Sequence, residues 1–166
     1  MRYHKLKASD QAGMYIMEST LVSEDDILTM AKQLSRKRLS KGRALDHPTA
    51  VKAHIRTLLQ DYDHEVFAVL LLDTKLKVIG FHEVFRGTLA EATVYPRELV
   101  KLALAHNAAA MVISHNHPSG DPKPSQNDIN LTKVLRDALA LVDVKVLDHI
   151  IVGAKGVESL AERGDM

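Results

Sequence analysis

Two histidines stand two residues apart in Ser114-His115-Asn116-His117-Pro118-Ser119-Gly120, and Asp128 follows His117 by eleven residues. On an extended strand, residues i and i+2 project from one face, so both imidazoles can address a single point. Two imidazoles and one carboxylate, with a fourth position left open, are the usual donors of a catalytic zinc. The pattern therefore predicts a metal-dependent hydrolase, and the rest of the chain has to supply a general base, a pocket and a substrate. Each residue also has a plainer use. A lone histidine at the end of a buried strand is commonly a hydrogen-bonded core residue. Ser125-Gln126-Asn127-Asp128 has the form of a helix cap, Ser125 at the N-cap and an acid three residues on. The two uses are compatible, because a capped first turn holds a carboxylate rigidly.

Composition narrows the chemistry. The chain has no cysteine, which excludes cysteine-based zinc fingers, iron–sulfur clusters and the zinc nucleobase deaminases, whose metal needs a Cys pair beside its His. The same absence suits a reducing cytoplasm, the expected location. No His-Glu-x-x-His sequence occurs, so the common zinc-protease helix is absent. The letters His-Asn-His are not read as an HNH nuclease, whose residues are spread over a much longer motif. A net charge of +1 calls for neither nucleic acid nor an acidic surface. No apolar run approaches the ~18 residues of a membrane span, and no apolar core follows the basic start Met1 to Lys7. With 166 residues, 46% of them apolar, one domain with a proper core is expected. Aromatics make up 4% and Trp is missing, so that core must be aliphatic.

The elements that would position the histidines follow from hydrophobic period. Residues 1–22 show no strong period and read as a loose arm. Ser23 before Glu24, Asp25 and Asp26 starts a helix whose apolar stripe is Ile27, Met30, Ala31 and Leu34, fading near Arg38. Residues 36–43 then pack five bases into eight positions, read as a solvated helix end and linker rather than a nucleic-acid contact. Asp46 or His47 before Pro48 opens a second helix carrying Val51, Ile55, Leu58 and Leu59 inward. The run 65–73 is a strand buried on both faces, and 77–85 is its hairpin partner. Pro96 starts a helix with Leu99, Leu102, Ala103 and His106 on one side. Residues 109–113 form a central strand that delivers His115 and His117 at its end. Three prolines and a glycine make 118–124 irregular. A helix follows over about 126–141, with Leu131, Val134, Leu135, Ala138, Leu139 and Val142 at helical spacing. A last strong strand spans 144–152, and the polar tail 154–166 has room for one short edge strand. Strands alternate with helices, which predicts one α/β domain with a mixed sheet flanked by helices.

The order His-x-His, seven residues, Ser, two residues, Asp resembles the JAMM signature of the MPN+/JAB metalloprotease superfamily. The chain is more closely similar to RadC-like JAB domains, from about Val66 to Gly153. The resemblance rests on Phe85-Arg86-Gly87-Thr88, Tyr95-Pro96-Arg97-Glu98, His115-Asn116-His117-Pro118-Ser119-Gly120-Asp121, Pro124-Ser125 and Leu147-Asp148-His149-Ile150-Ile151-Val152-Gly153. It implies a JAB/MPN-like (cytidine deaminase-like) fold, with an arm and helix over 1–45 and the catalytic domain over 46–166. Residues 1–64 lack the glycine hairpins of the helix-hairpin-helix region in longer RadC proteins, so the chain resembles the short form. By the family pattern one Zn2+ is held by His115, His117 and Asp128, with water as fourth ligand. A Glu takes that water's proton, and Ser125 helps stabilise the oxyanion. The implied substrate is a peptide or protein, cut at a peptide or isopeptide bond. The rival implication is a DNA-associated accessory protein with an ancillary metal, which the basic stretch 36–43 supports a little. No membrane partner is implied, and self-association stays open.

The resemblance places the base at the start of the first core strand, where Glu65 stands. Glu83, on the neighbouring strand, is its rival. Asp148-His149 is a polar pair within an apolar strand. It reads either as a partner for a zinc-bound imidazole, since ligating rings usually donate their other N–H, or as a hydrogen bond internal to the sheet. His4, His47, His54, His64, His82 and His106 have no ligand spacing.

Overall fold

The computed structural model describes residues 2–44, 47–87 and 94–166. The chain begins with three short strands, β1 (Arg2–Tyr3), β2 (Leu6–Ala8) and β3 (Tyr15–Met17), paired antiparallel in that order. Residues 2–17 therefore form a small sheet, where the sequence suggests a loose arm over 1–22. Strands of two or three residues are too short for alternation to register. The sheet is also fastened from outside itself: Lys5 Nζ lies 2.6 Å from Asp26 Oδ2, and the His4 ring bonds the other carboxylate oxygen. Asp26 belongs to α1 (Glu24–Arg38), whose first turn is closed by the capping box expected at Ser23. The buried residues of α1 are Met30 and Ser35, while Ile27, expected inward, is 54% exposed. α1 packs on α2 (Pro48–Leu59) and on β1 rather than on the main sheet, so its first turn finds no apolar cover. Pro48 occupies the first turn of α2 after His47 at the N-cap. Asp46, the alternative opener, lies outside the described residues, as do the expected domain boundary at 45/46 and Thr88.

The main sheet is built outward from β4 (Val66–Leu72), in which all seven residues are buried. Its unbroken apolar run predicts an internal strand, and it takes partners on both edges. β5 (Val78–Arg86) returns antiparallel along one edge. After α3 (Pro96–Ala105), β6 (Ala110–Asn116) pairs antiparallel with the other edge. α4 (Gln126–Ala140) is the crossover that β7 (Lys145–Gly153) needs to lie parallel to β6. β8 (Gly156–Ser159) closes that side as the edge strand foreseen in the tail, and α5 (Leu160–Arg163) follows it. The order is β5-β4-β6-β7-β8.

Strand alternation divides the core in two. Ala68, Leu70, Leu72, Val112, Ile150 and Val152 pack toward Ile55, Leu58 and Leu59 of α2. Phe67, Val69, Leu71, Met111 and Ile113 pack toward Leu99 and Ala103 of α3 and Leu135 and Leu139 of α4. The result is a mixed α/β fold with helices on both faces of one sheet. On α4, Val134 is 54% exposed although its spacing suggests the inward face. That face runs through Thr132, Leu135 and Leu139, and Thr132 is 1% exposed. Among the described residues no helix is long and apolar enough to cross a membrane.

Candidate metal centre

The register of β6 decides where the two histidines point. His115 pairs across the sheet with Phe67 and shares its face, the one covered by α3 and α4. The Phe67 and His115 rings lie nearly parallel, 11° apart. His117 follows two residues on, and its Nε2 comes to 2.9 Å from that of His115. His117 is oriented by the loop beyond it: its Nδ1–H donates to the Asp121 carbonyl at 2.8 Å, which leaves Nε2 as its acceptor when the ring is neutral. The loop is seated by a close backbone approach. A Cβ on Gly153 would stand 2.5 Å from the Gly120 carbonyl oxygen, and Gly120 itself has φ +83°. Glycine is required at the first position for space and favoured at the second for conformation.

Asp128 arrives from the first turn of α4. Its Oδ1 lies 3.3 Å from His115 Nε2 and its Oδ2 3.6 Å from His117 Nε2. The cap read from the sequence is present. Ser125 Oγ accepts the Asp128 N–H, and the Asp128 carboxylate accepts the Ser125 N–H at 2.7 Å. The Ser125 hydroxyl donates to the same Asp128 Oδ2 at 2.7 Å. Ser125 thus spends its hydrogen and its backbone N–H on one carboxylate. Burial alone would raise the Asp128 pKa, but the His115 and His117 rings and Ser125 outweigh it and hold the carboxyl far below the usual range. The Asp128 carboxylate beside His117 raises the affinity of that ring for protons against the effect of burial, with the Asp121 carbonyl and the more distant Glu65 charge adding to it.

The two candidate bases are placed on opposite sides of the sheet. Continuing the β4–β6 register past Phe67 and His115 sets Glu65 across from His117. Glu83 pairs with Ala68 and so belongs to the other face. There its carboxylate accepts bonds from Arg36, Tyr62 and Arg86 at 3.0–3.1 Å. Burial raises its pKa, but Arg86 and Tyr62 outweigh that and lower it overall.

Asn116 stands between the two histidines on β6. Pointing to the opposite face and 2% exposed, it accepts the Val66 N–H at 2.7 Å and donates to the His64 and Tyr62 carbonyls at 3.0 and 3.3 Å. One side-chain amide thereby ties the segment that carries Glu65 to the strand that carries His115. Asn116→Ala would leave these buried groups unpaired, and a loss of about 1–3 kcal/mol is expected. A urea unfolding midpoint equal to that of the wild type would remove Asn116 from this role.

Asp148 and His149 separate. Asp148 accepts the His149 N–H at 2.7 Å, the Ser159 hydroxyl at 2.7 Å and the Ala161 N–H at 3.1 Å, which fastens β8 and α5 to β7. The His149 ring, 0% exposed, turns toward the cluster, with Nε2 2.8 Å from His115 Nδ1 and Nδ1 2.6 Å from Thr132 Oγ1. Burial lowers its pKa well below the ordinary value. His149 is thus hydrogen-bonded to the His115 ring, while the bonds of Asp148 stay within β7, β8 and α5. Thr132 is a residue the sequence reading missed; its only signal is a hydroxyl one helical turn after Asp128. Among the described residues, His115, His117 and Asp128 are the group of three or more metal-ligating side chains whose donor atoms converge, within 4.8 Å of one another.

A mixed sheet between helices, with two imidazoles at the end of a central strand and a carboxylate at the next helix start, is the arrangement of a JAB-type domain. The chain belongs to the RadC-like JAB domain family, whose model matches residues 45–165. It is 48% identical over 140 residues to a UPF0758 protein of Thiobacillus denitrificans, covering 84% of this chain and 62% of that one. Against a UPF0758 protein of Methylibium petroleiphilum it is 52% identical over 138 residues, covering 83% and 62%. A UPF0758 protein of Vibrio cholerae is 51% identical over 141 residues, covering 85% of this chain and 89% of that one. The chain thus spans a little under two thirds of the first two relatives and most of the third.

Proposed function

We propose that this protein is a zinc-dependent hydrolase of peptide or isopeptide bonds. The observation that carries the reading is the convergence of His115 Nε2, His117 Nε2 and the Asp128 carboxylate on one spot. A carboxylate only accepts, and His117 has its N–H committed to the Asp121 carbonyl. A divalent cation is what such a set of lone pairs fits, and two nitrogens with one oxygen suit zinc. Membership of a JAB family supports the peptide-like substrate class.

Bound there, zinc would supply Lewis acidity and bring the pKa of a coordinated water toward ~7. His115, His117 and Asp128 would hold it, with Asp128 kept ionised by its neighbours and fixed by Ser125. Glu65 would take a proton on its carboxylate and return it to the leaving amine. Ser125 could donate to a substrate oxyanion only when its hydroxyl leaves Asp128 Oδ2, so in the resting site it orients the ligand carboxylate.

The test is metal analysis of the purified protein together with amine release from a panel of peptide- and isopeptide-linked probes. One zinc per chain is expected, with amine release abolished by a chelator and restored by added zinc. Protein that takes up no divalent metal at neutral pH would end this reading.

A further inference from the structure

We infer that Thr132 and His149 are positioning residues that set the tautomer of His115 and so present its Nε2 lone pair to the ligand cluster. The consequence for zinc rests on the metal reading above, whereas the wiring is a property of the metal-free chain.

The direction of every hydrogen bond follows from one carbonyl. Thr132 Oγ1 lies 2.6 Å from the Asp128 backbone oxygen. Two oxygens that close need a hydrogen between them, and a carbonyl has none to give, so the Thr132 hydroxyl donates. With its only hydrogen spent, Thr132 Oγ1 can only accept from His149 Nδ1, 2.6 Å away. His149 therefore carries its hydrogen on Nδ1. Its ring is 0% exposed and hydrogen-bonds to no carboxylate among the described residues, and in the neutral form its Nε2 is a lone pair. That lone pair accepts from His115 Nδ1 at 2.8 Å. His115 is then the Nδ1–H tautomer, and its own lone pair sits on Nε2, 2.9 Å from His117 Nε2 and 3.3 Å from Asp128 Oδ1. The reverse direction would make Thr132 donate to His149 and leave two oxygen lone pairs 2.6 Å apart.

The chain of bonds starts and ends on the same residue. α4 supplies both the Asp128 carboxylate and, through the Asp128 carbonyl and Thr132, the anchor that orients His115. His117 reaches the same tautomer independently through the Asp121 carbonyl. A buried Thr and His that served packing alone would not need this order of donors.

Long-range nitrogen–proton NMR correlations read the ring tautomers directly in metal-free protein, at a pH above the histidine titration range. In the wild type, His115 and His149 are both expected as Nδ1–H. Thr132→Val keeps the shape and removes the hydroxyl; His149 should lose its Nδ1–H preference, and zinc affinity should fall, by up to the about 10–100-fold that losing the direct outer partner of a metal-bound histidine costs, because Thr132 acts through His149. Thr132→Ser should restore both. The inference is overturned if metal-free wild type carries the His115 hydrogen on Nε2, if folded Thr132→Val binds zinc as tightly as wild type, or if Thr132→Ser fails to restore affinity. Should Thr132→Val not fold, the wild-type tautomers decide alone. Wild type with the stated tautomers but no zinc uptake would sustain the wiring and remove the metal reading.

Discussion

Asp128→Asn is expected to abolish zinc binding while leaving the melting temperature of the metal-free protein near that of the wild type. The two effects separate because the proposed site gives Asp128 two jobs through one carboxylate. As the acid of the capping box it accepts the Ser125 N–H, and an asparagine carbonyl can accept the same bond. As a ligand it must bring negative charge to His115 and His117, and a neutral amide is a poor zinc donor. Asp128→Ala should lose zinc as well and also weaken the start of α4, with about 1 kcal/mol expected for a lost capping interaction. The readouts are metal content and thermal melting with and without zinc. The wild-type transition should rise with zinc concentration by mass action, and that of Asp128→Asn should not move. The sign of the pH dependence follows from the ligands. Imidazole must be neutral to bind metal, so protons compete, and Asp128 favours the proton on His117; wild-type zinc is bound at high pH and released as pH falls through the titration of that ring. Full zinc content in Asp128→Asn would mean that the carboxylate is a cap and nothing more.

The convergence of His115, His117 and Asp128 was legible in the sequence because their spacing is set by backbone geometry. A two-residue step on a strand puts both rings on one face whatever surrounds them, and a cap acid is recognisable from four letters. β4 and β6 were legible because a strand buried on both faces leaves an unbroken apolar run. What failed to show was whatever depends on packing between elements. Ile27 fits a helical stripe, but α1 lies on α2 and leaves its first turn uncovered. Val134 fits the α4 period as well as Leu135 does, and only the rotation of the helix on the sheet turns Thr132 inward instead. Asp148 and His149 are adjacent in sequence, but their side chains project to opposite sides of β7 and so find different side-chain partners. Asn116 carried no signal, since its partners are backbone groups some fifty residues away, at Tyr62, His64 and Val66.

Glu65→Gln is expected to remove turnover while leaving zinc in place. Glutamine matches glutamate in shape and cannot take a proton, so the variant isolates proton transfer, a contribution of about 10²–10⁴ in rate. The case for Glu65 over Glu83 rests on parity and on occupancy. Glu65 lies in register with His117, beyond the last pair of the ladder, and its charge acts on that ring. Glu83 sits on the opposite face, and its two oxygens are bound by Arg36, Tyr62 and Arg86. To serve as a base it would have to leave two guanidinium groups and cross the sheet. Glu83→Gln should therefore keep both zinc and turnover and cost only the interactions of a partly exposed ion-pair network. The comparison is made on the zinc-loaded proteins with the probe that the wild type hydrolyses, with kcat and metal content read on the same samples. Loss of turnover in Glu83→Gln with Glu65→Gln still active would move the base to β5. That outcome would also require the substrate to approach from the α2 side, a side to which neither His115 nor Asp128 is turned, and so the same pair of variants tests which face of the sheet is catalytic.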